Sequence, residues 1–159
     1  MNWSKRTLEN LSGLNRKFRV RVESFLTAAQ PILARHGVTA EIISGLRSGT
    51  QQAALYAQGR TKPGAIVTKA RPWSSWHNYG LAIDIGLFAG GKYLDQSDPC
   101  RADRVYRELG ALWVAQGGEW AGNWKSFQES PHFQWTAGKS LATLKAEMQA
   151  NGYDVQKLA

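Results

Sequence analysis

The stretch WSSWHNYGLAIDIGLF, Trp73 to Phe88, sets one acid in the middle of an apolar run. Read as a strand from Leu81 to Leu87, its side chains alternate. Leu81, Ile83, Ile85 and Leu87 point one way, and Ala82, Asp84 and Gly86 point the other. Asp84 therefore lies opposite the apolar face. A carboxylate inside a sheet-forming segment loses hydration, at a cost of roughly several kcal/mol unless a cation, a metal or several donors compensate. His77 precedes it, just before an Asn-Tyr-Gly turn that can bring the imidazole back towards the carboxylate. One His and one Asp do not make a metal site, so the pair calls for a further ligand elsewhere in the chain.

Working outward, Phe18, Val22, Phe25, Leu26, Ala29 and Leu33 recur at helical spacing from Asn15 to about His36, with Pro31 expected to kink or divide the helix before Gly37 ends it. TAEIISGLRS then reads as a short strand, with Ile42 and Ser44 on one face and Glu41, Ile43 and Gly45 on the other. SGTQQAALYAQG reads as a helix capped by Ser48 and stopped at Gly59. A loop rich in Gly, Pro, Thr and Lys leads from Arg60 to Ser75. After the central strand, AGGKYLDQSD has the look of a hairpin connection, and PCRADRVYRELGALWVAQGG of a helix with Val105, Leu109, Leu112 and Trp113 inward. Cys100 is read as an ordinary thiol in the loop beside Pro99. PHFQW is a short strand after the irregular, aromatic EWAGNWKSFQES, and SLATLKAEMQANG is a short amphipathic helix, expected over 139–151, that packs on the core. Helices and short strands alternate without the rhythm of a doubly wound sheet. The expected class is α+β, a small antiparallel sheet flanked by helices.

The chain has 159 residues, 43% of them hydrophobic, with seven Trp, which suits one domain over 1–159 with its core at about 18–135 and no separate binding module. No apolar run approaches the ~20 residues of a spanning helix. MNWSKRTLENLSG lacks the basic, then apolar, then small-residue order of a signal peptide, so synthesis in the cytoplasm is expected. A single cysteine, Cys100, rules out an intramolecular disulfide and a cysteine-rich zinc knuckle. The formal charge of +8 suits an anionic partner, but the basic residues are interspersed with acids and form no nucleic-acid motif.

ESPHFQW supplies the further ligand: His132 and Gln134 share one strand face, and Phe133 and Trp135 the other. Two imidazoles and one carboxylate suit zinc and leave a fourth position for water, whose pKa the metal lowers towards ~7. Glu129, held by Pro131 on an extended or turning segment, can serve as general base and then general acid. The duller accounts are a salt-bridged Asp84, a solvated Glu129 and a satisfied His36 at a helix end. Trp73, Trp76, Trp120 and Trp124 flank the motif and either line a groove or pack in the core, and packing suits Trp113 and Trp135.

The spaced pattern SxHxxGxAxD, here Ser75, His77, Gly80, Ala82 and Asp84, followed by WKSFQESPHF, resembles the zinc peptidases of the D-alanyl-D-alanine carboxypeptidase type, family M15. Within them, ISGLRSGTQQAALYAQGRTKPGAIVTKA and GGEWAGNWKSFQESPHFQW look most like the L-alanyl-D-glutamate endopeptidases found as phage endolysins and bacterial wall hydrolases, over about Phe18 to Trp135. The resemblance implies one zinc ion held by His77, Asp84 and His132, with Glu129 as catalytic base where many relatives carry Asp. It also implies that Arg47 faces the metal and holds the carbonyl or developing oxyanion. Ser75 would support the site by hydrogen bonding. Beside the resemblance, Trp76 and Trp124 are candidates for substrate contact, and Gln51 and Gln52, which follow Arg47 into the helix, either touch substrate or, on the duller and preferred account, cap the helix or stay exposed. The implied substrate is peptidoglycan, hydrolysed by a monomer without nucleic acid or stable membrane insertion. It would act in the periplasm and wall after release by a holin-type partner. The rival expectations are a D,D-carboxypeptidase or dipeptidase on the same fold and a non-catalytic wall module that keeps zinc for structure.

Overall fold

The computed structural model describes residues 2–158. Its first helix, α1 (Lys5–Gly13), lies in the N-terminal stretch whose polarity gave no helical expectation. Ser4 caps it, accepting from the Thr7 amide at 3.2 Å, and Leu11 is fully buried. The long helix α2 (Arg16–His36) follows, capped by the Asn15 carboxamide and closed by Gly37 in the left-handed conformation at φ 60°. Of the two courses expected at Pro31, a kink or a division, the helix is not divided. Its ring points to solvent, while Phe25, Leu26, Ala29 and Leu33 around it are all buried. Burying that apolar face outweighs the ~3 kcal/mol cost of an interior proline.

The sheet is built from β1 (Thr39–Ser44), β2 (Ala82–Ala89), β3 (Lys92–Tyr93), β4 (Glu119–Trp120) and β5 (His132–Gln134). Its strands run antiparallel in the order β1-β2-β5-β4, and β3 folds back on the end of β2 through Gly90 and Gly91. Helix α1 covers the outer edge of β1: Asn10 Nδ2 donates to the Ile42 carbonyl at 2.9 Å, and the Ile42 amide donates to Thr7 Oγ1 at 3.1 Å. The alternation expected of β2 holds, with Ile83, Ile85 and Leu87 fully buried on the core side. In β1 it breaks. The register shifts between Ile42, which pairs with Ile85, and Ser44, which pairs with Asp84. This bulge turns Ser44 onto the Asp84 face instead of the Ile42 face, because two residues of one strand oppose one of the other.

On the core side, α2 packs against α5 (Pro99–Ala115). Trp113 lies 6.0 Å from Phe18 and 5.1 Å from Phe25, and Phe25 reaches Phe133 of β5 at 5.6 Å. Cys100 is an exposed residue of the first turn of α5 and not of a loop. Between these elements lie α3 (Gly49–Ala57), capped by Ser48 as expected, and the short α4 (Leu94–Ser97), which the hairpin reading omitted. The last helix, α6 (Leu141–Ala150), buries Leu144 and Met148 and packs against the 3-10 turn Trp76–Tyr79. Among the described residues no helix is long and apolar enough to cross a membrane.

Candidate active site

The Asp84 face of the sheet forms the floor of a cleft of about 760 Å³. One wall comes from residues 67–70 and 74–77, the other from residues 124–131. Asp84 and His132 are cross-strand partners on β2 and β5, so the sheet register alone brings them together. His77 arrives on the 3-10 turn, whose first amides are met by Ser75: its hydroxyl accepts from the His77 amide at 3.3 Å. Gly80 ends this turn at φ 64°, and a side chain there would press on the Asn15 amide at 2.8 Å.

Hydrogen bonds fix which nitrogen each imidazole offers. His77 Nδ1 lies 2.8 Å from the Gly45 carbonyl, which can only accept, so Nδ1 carries the proton and Nε2 keeps its lone pair. His132 Nε2 lies 2.9 Å from Gln134 Oε1, whose amide donates in turn to Glu119 Oε2 at 3.0 Å. Nε2 of His132 is therefore the donor, and Nδ1 faces the cleft.

The three remaining atoms form a nearly equilateral triangle. His77 Nε2 to His132 Nδ1 is 3.2 Å, His77 Nε2 to Asp84 Oδ1 is 3.3 Å, and His132 Nδ1 to Asp84 Oδ1 is 3.2 Å. Tetrahedral zinc with bonds of about 2.0–2.1 Å sets its ligands roughly 3.3–3.4 Å apart. Three lone pairs this close repel unless a cation lies among them, so the donor set fits the metal in chemistry and in size. Without it a proton must serve. Burial alone would raise the Asp84 pKa, but the charges and hydrogen bonds of His77 and His132 hold it well below the usual carboxylate range. Burial would lower the His132 pKa, and Asp84 overrides this and raises it.

Arg47 lies beside the triangle, its Nη2 3.7 Å from Asp84 Oδ2. Nη1 donates to Gln52 Oε1 at 2.9 Å and Nη2 to Ser44 Oγ at 3.1 Å, so the guanidinium is fixed on two sides. Burial lowers its pKa while the charges of Asp84 and Glu129 oppose the shift. Glu129 lines the other wall and makes no hydrogen bond through its carboxylate among the described residues. Burial raises its pKa, and the Asp84 charge adds to this against His132 and Arg47. A carboxylate tuned upwards and left without donors is suited to take a proton.

Trp76, Trp124 and Ser75 also line the cleft, and the Trp124 ring stands 5.5 Å from the His132 ring. Gln51 does not reach it. Its side chain accepts from the Ser48 amide at 2.8 Å, closing a capping box, and it is Gln52, fully buried, that turns towards the site. Leu55, one helical step beyond Gln52, lines the same cleft, and that spacing was the available signal. Trp120 packs in the core, its indole donating to the Ser130 carbonyl at 2.8 Å, while Trp73 packs beside Tyr153 outside the cleft.

Helices laid on a small antiparallel sheet, with a His-Asp-His triangle on the open face, define a class of zinc peptidase folds. A family model of M15 peptidases, described as D-alanyl-D-alanine carboxypeptidase, matches residues 68–135 of the chain. It is 38% identical over 113 residues to the peptidoglycan L-alanyl-D-glutamate endopeptidase CwlK of Bacillus subtilis strain 168. That alignment covers 67% of this chain and 66% of CwlK, so the chain spans just under two thirds of that relative's length. The L-Ala D-Glu endopeptidase ChiX of Serratia marcescens has the same fold, with a TM-score of 0.54 at 23% identity over 86% of this chain and 90% of ChiX. DacB of Streptococcus pneumoniae D39 gives 0.56 at 20% identity, over 89% and 78%. A zinc complex of the vancomycin-resistance D,D-pentapeptidase VanY gives 0.54 at 16% identity, over 91% and 82%.

Proposed function

We propose that the protein is a zinc-dependent peptidase that hydrolyses the L-alanyl-D-glutamate bond in the peptide stems of peptidoglycan, using the helices and sheet described above as one catalytic unit. The observation that carries this reading is the triangle of ligand atoms on His77, Asp84 and His132, with Glu129 and Arg47 in the same cleft. The choice of bond is supported by the names of CwlK and ChiX, each an L-alanyl-D-glutamate endopeptidase. His77 Nε2, His132 Nδ1 and Asp84 Oδ1 would hold the zinc, which supplies Lewis acidity to the carbonyl and makes water easier to deprotonate.

The protein's own groups then divide the work. Glu129 takes the proton that the attacking water gives up and returns it to the departing amine. Arg47, oriented by Gln52 and Ser44, donates to the carbonyl oxygen as negative charge grows there, so it needs no rearrangement at the moment of reaction. Trp76 and Trp124 narrow the cleft around the stem peptide and limit access of bulk water.

The basic surface suits attraction to an anionic wall. The lytic setting we propose is that of a phage endolysin, made in the host cytoplasm as a monomer and admitted to the wall by a separate holin-type partner. Lysis by the chain expressed without such a partner would contradict that setting.

Mass spectrometry of purified muropeptides digested by the zinc-loaded protein tests the reaction. Peptides beginning at D-glutamate are expected. Released D-alanine would instead establish the D,D-carboxypeptidase that the family description names, and no product from any wall type would favour a non-catalytic wall module.

A further inference from the structure

One cation in the cleft has no part in the mechanism above. Lys69 lies on the wall formed by residues 67–70, and its ammonium stands 4.8 Å from the centre of the Phe127 ring on the opposite wall. Arg47, the other Lys or Arg lining the cleft, is committed to Gln52, Ser44 and Asp84. Lys69 makes no ion pair or hydrogen bond among the described residues, and an aromatic face is its one partner there. Phe127 holds that face in place with φ at 52°, a left-handed conformation that a bulky L residue keeps only when its surroundings impose it.

The mechanism gives the cleft a direction. The carbonyl oxygen goes to Arg47 and the departing amine to Glu129. Phe127 and Glu129 line the same wall two residues apart, and the Lys69 ammonium rests against that wall, where the departing residue would lie in the proposed reaction. In the proposed substrate that residue is glutamate, which has two carboxyl groups. The chain continues through only one of them, so the other is free beside the cut bond unless it is amidated. A carboxylate is a stronger partner for an ammonium than an aromatic ring is.

We propose that Lys69 is a specificity-determining residue, leaving the Phe127 ring to pair with the free carboxylate of the glutamate whose amine departs at Glu129. This rests on the proposed function and adds the group by which that enzyme would distinguish a wall with free glutamate carboxylates from one in which they are amidated.

The test is kcat/KM of the zinc-loaded protein on two synthetic stem peptides that differ only in this carboxylate and its carboxamide. The parent is expected to prefer the carboxylate about tenfold, Lys69→Met to bring the ratio close to one, and Lys69→Arg to keep most of it. Because the readout is a ratio, it does not depend on the fraction of folded enzyme. Equal cleavage of both peptides by the parent, or an unchanged ratio in Lys69→Met, overturns this inference alone. A parent that cuts neither peptide overturns the proposed function and this inference with it.

Discussion

His132 keeps its Nδ1 lone pair for the cleft because Gln134 accepts from Nε2 and is itself held by Glu119. Gln134→Leu removes that acceptor from a buried N–H and frees the ring to take the other tautomer. Zinc affinity is expected to fall about 10–100-fold, read by competition with a chelator, while the fold remains. Glu129→Gln does the reverse: zinc binding is kept and kcat falls by roughly 10²–10⁴. At this scale the three residues that cluster, His77, Asp84 and His132, were legible and their supports were not. Strand alternation alone set Asp84 against the apolar face and His132 beside Gln134. The Gln134–Glu119 bond joins residues on neighbouring strands, and Gln51 could not be told from Gln52 until the capping box consumed one of them.

Among the elements, β1 shows how one extra residue builds a site. Its bulge turns Ser44 towards Asp84, where its hydroxyl steadies Arg47. Helix α5 shows a glycine kept for space: a Cβ on Gly110 would lie 2.2 Å from the Trp120 ring. Gly110→Ala is therefore expected to destabilise the fold by about 1–3 kcal/mol despite its better helix propensity, measured by urea unfolding. The C-terminal end of α2 is also clamped to the middle of α5, where Glu108 meets His36 Nε2 at 2.7 Å and Arg35. The His36 hydrogen bond, with help from Arg35, holds Glu108 below the ordinary glutamate value of 4.5. A depressed acid stabilises the fold above its unfolded pKa, and this is lost as pH falls through the folded value. Urea midpoints from pH 6 to pH 3 should accordingly fall more steeply for the parent than for Glu108→Gln. Long periodic helices and the central strand were readable in the sequence. Helix α1 was not, since it buries only Thr7 and Leu11 within its span, and the unbroken course of α2 through Pro31 depends on the partners of its apolar face.

For the whole molecule, the proposed zinc ligands come from three places, the Trp76–Tyr79 turn, β2 and β5. Asn15 ties the same turn to both ends of the chain: its amide donates to the Gly80 carbonyl at 3.0 Å and its Nδ2 to the Val155 carbonyl at 2.7 Å. A cation bound only in the folded state stabilises all of this together, so chelation should lower the melting temperature as well as stop hydrolysis. The charge of +8 would act at this scale too, in the proposed approach to an anionic polymer, and says nothing of which bond is cut. The most direct measurement is a titration of the metal-free protein with zinc, following stem-peptide hydrolysis and bound metal in parallel. Activity is expected to rise to a plateau at one zinc per chain, with Glu129→Gln binding the same single ion while remaining at least about 10²-fold slower. Full activity in the metal-free protein, or hydrolysis by Glu129→Gln at the parent rate, would contradict a zinc peptidase built on His77, Asp84, His132 and Glu129.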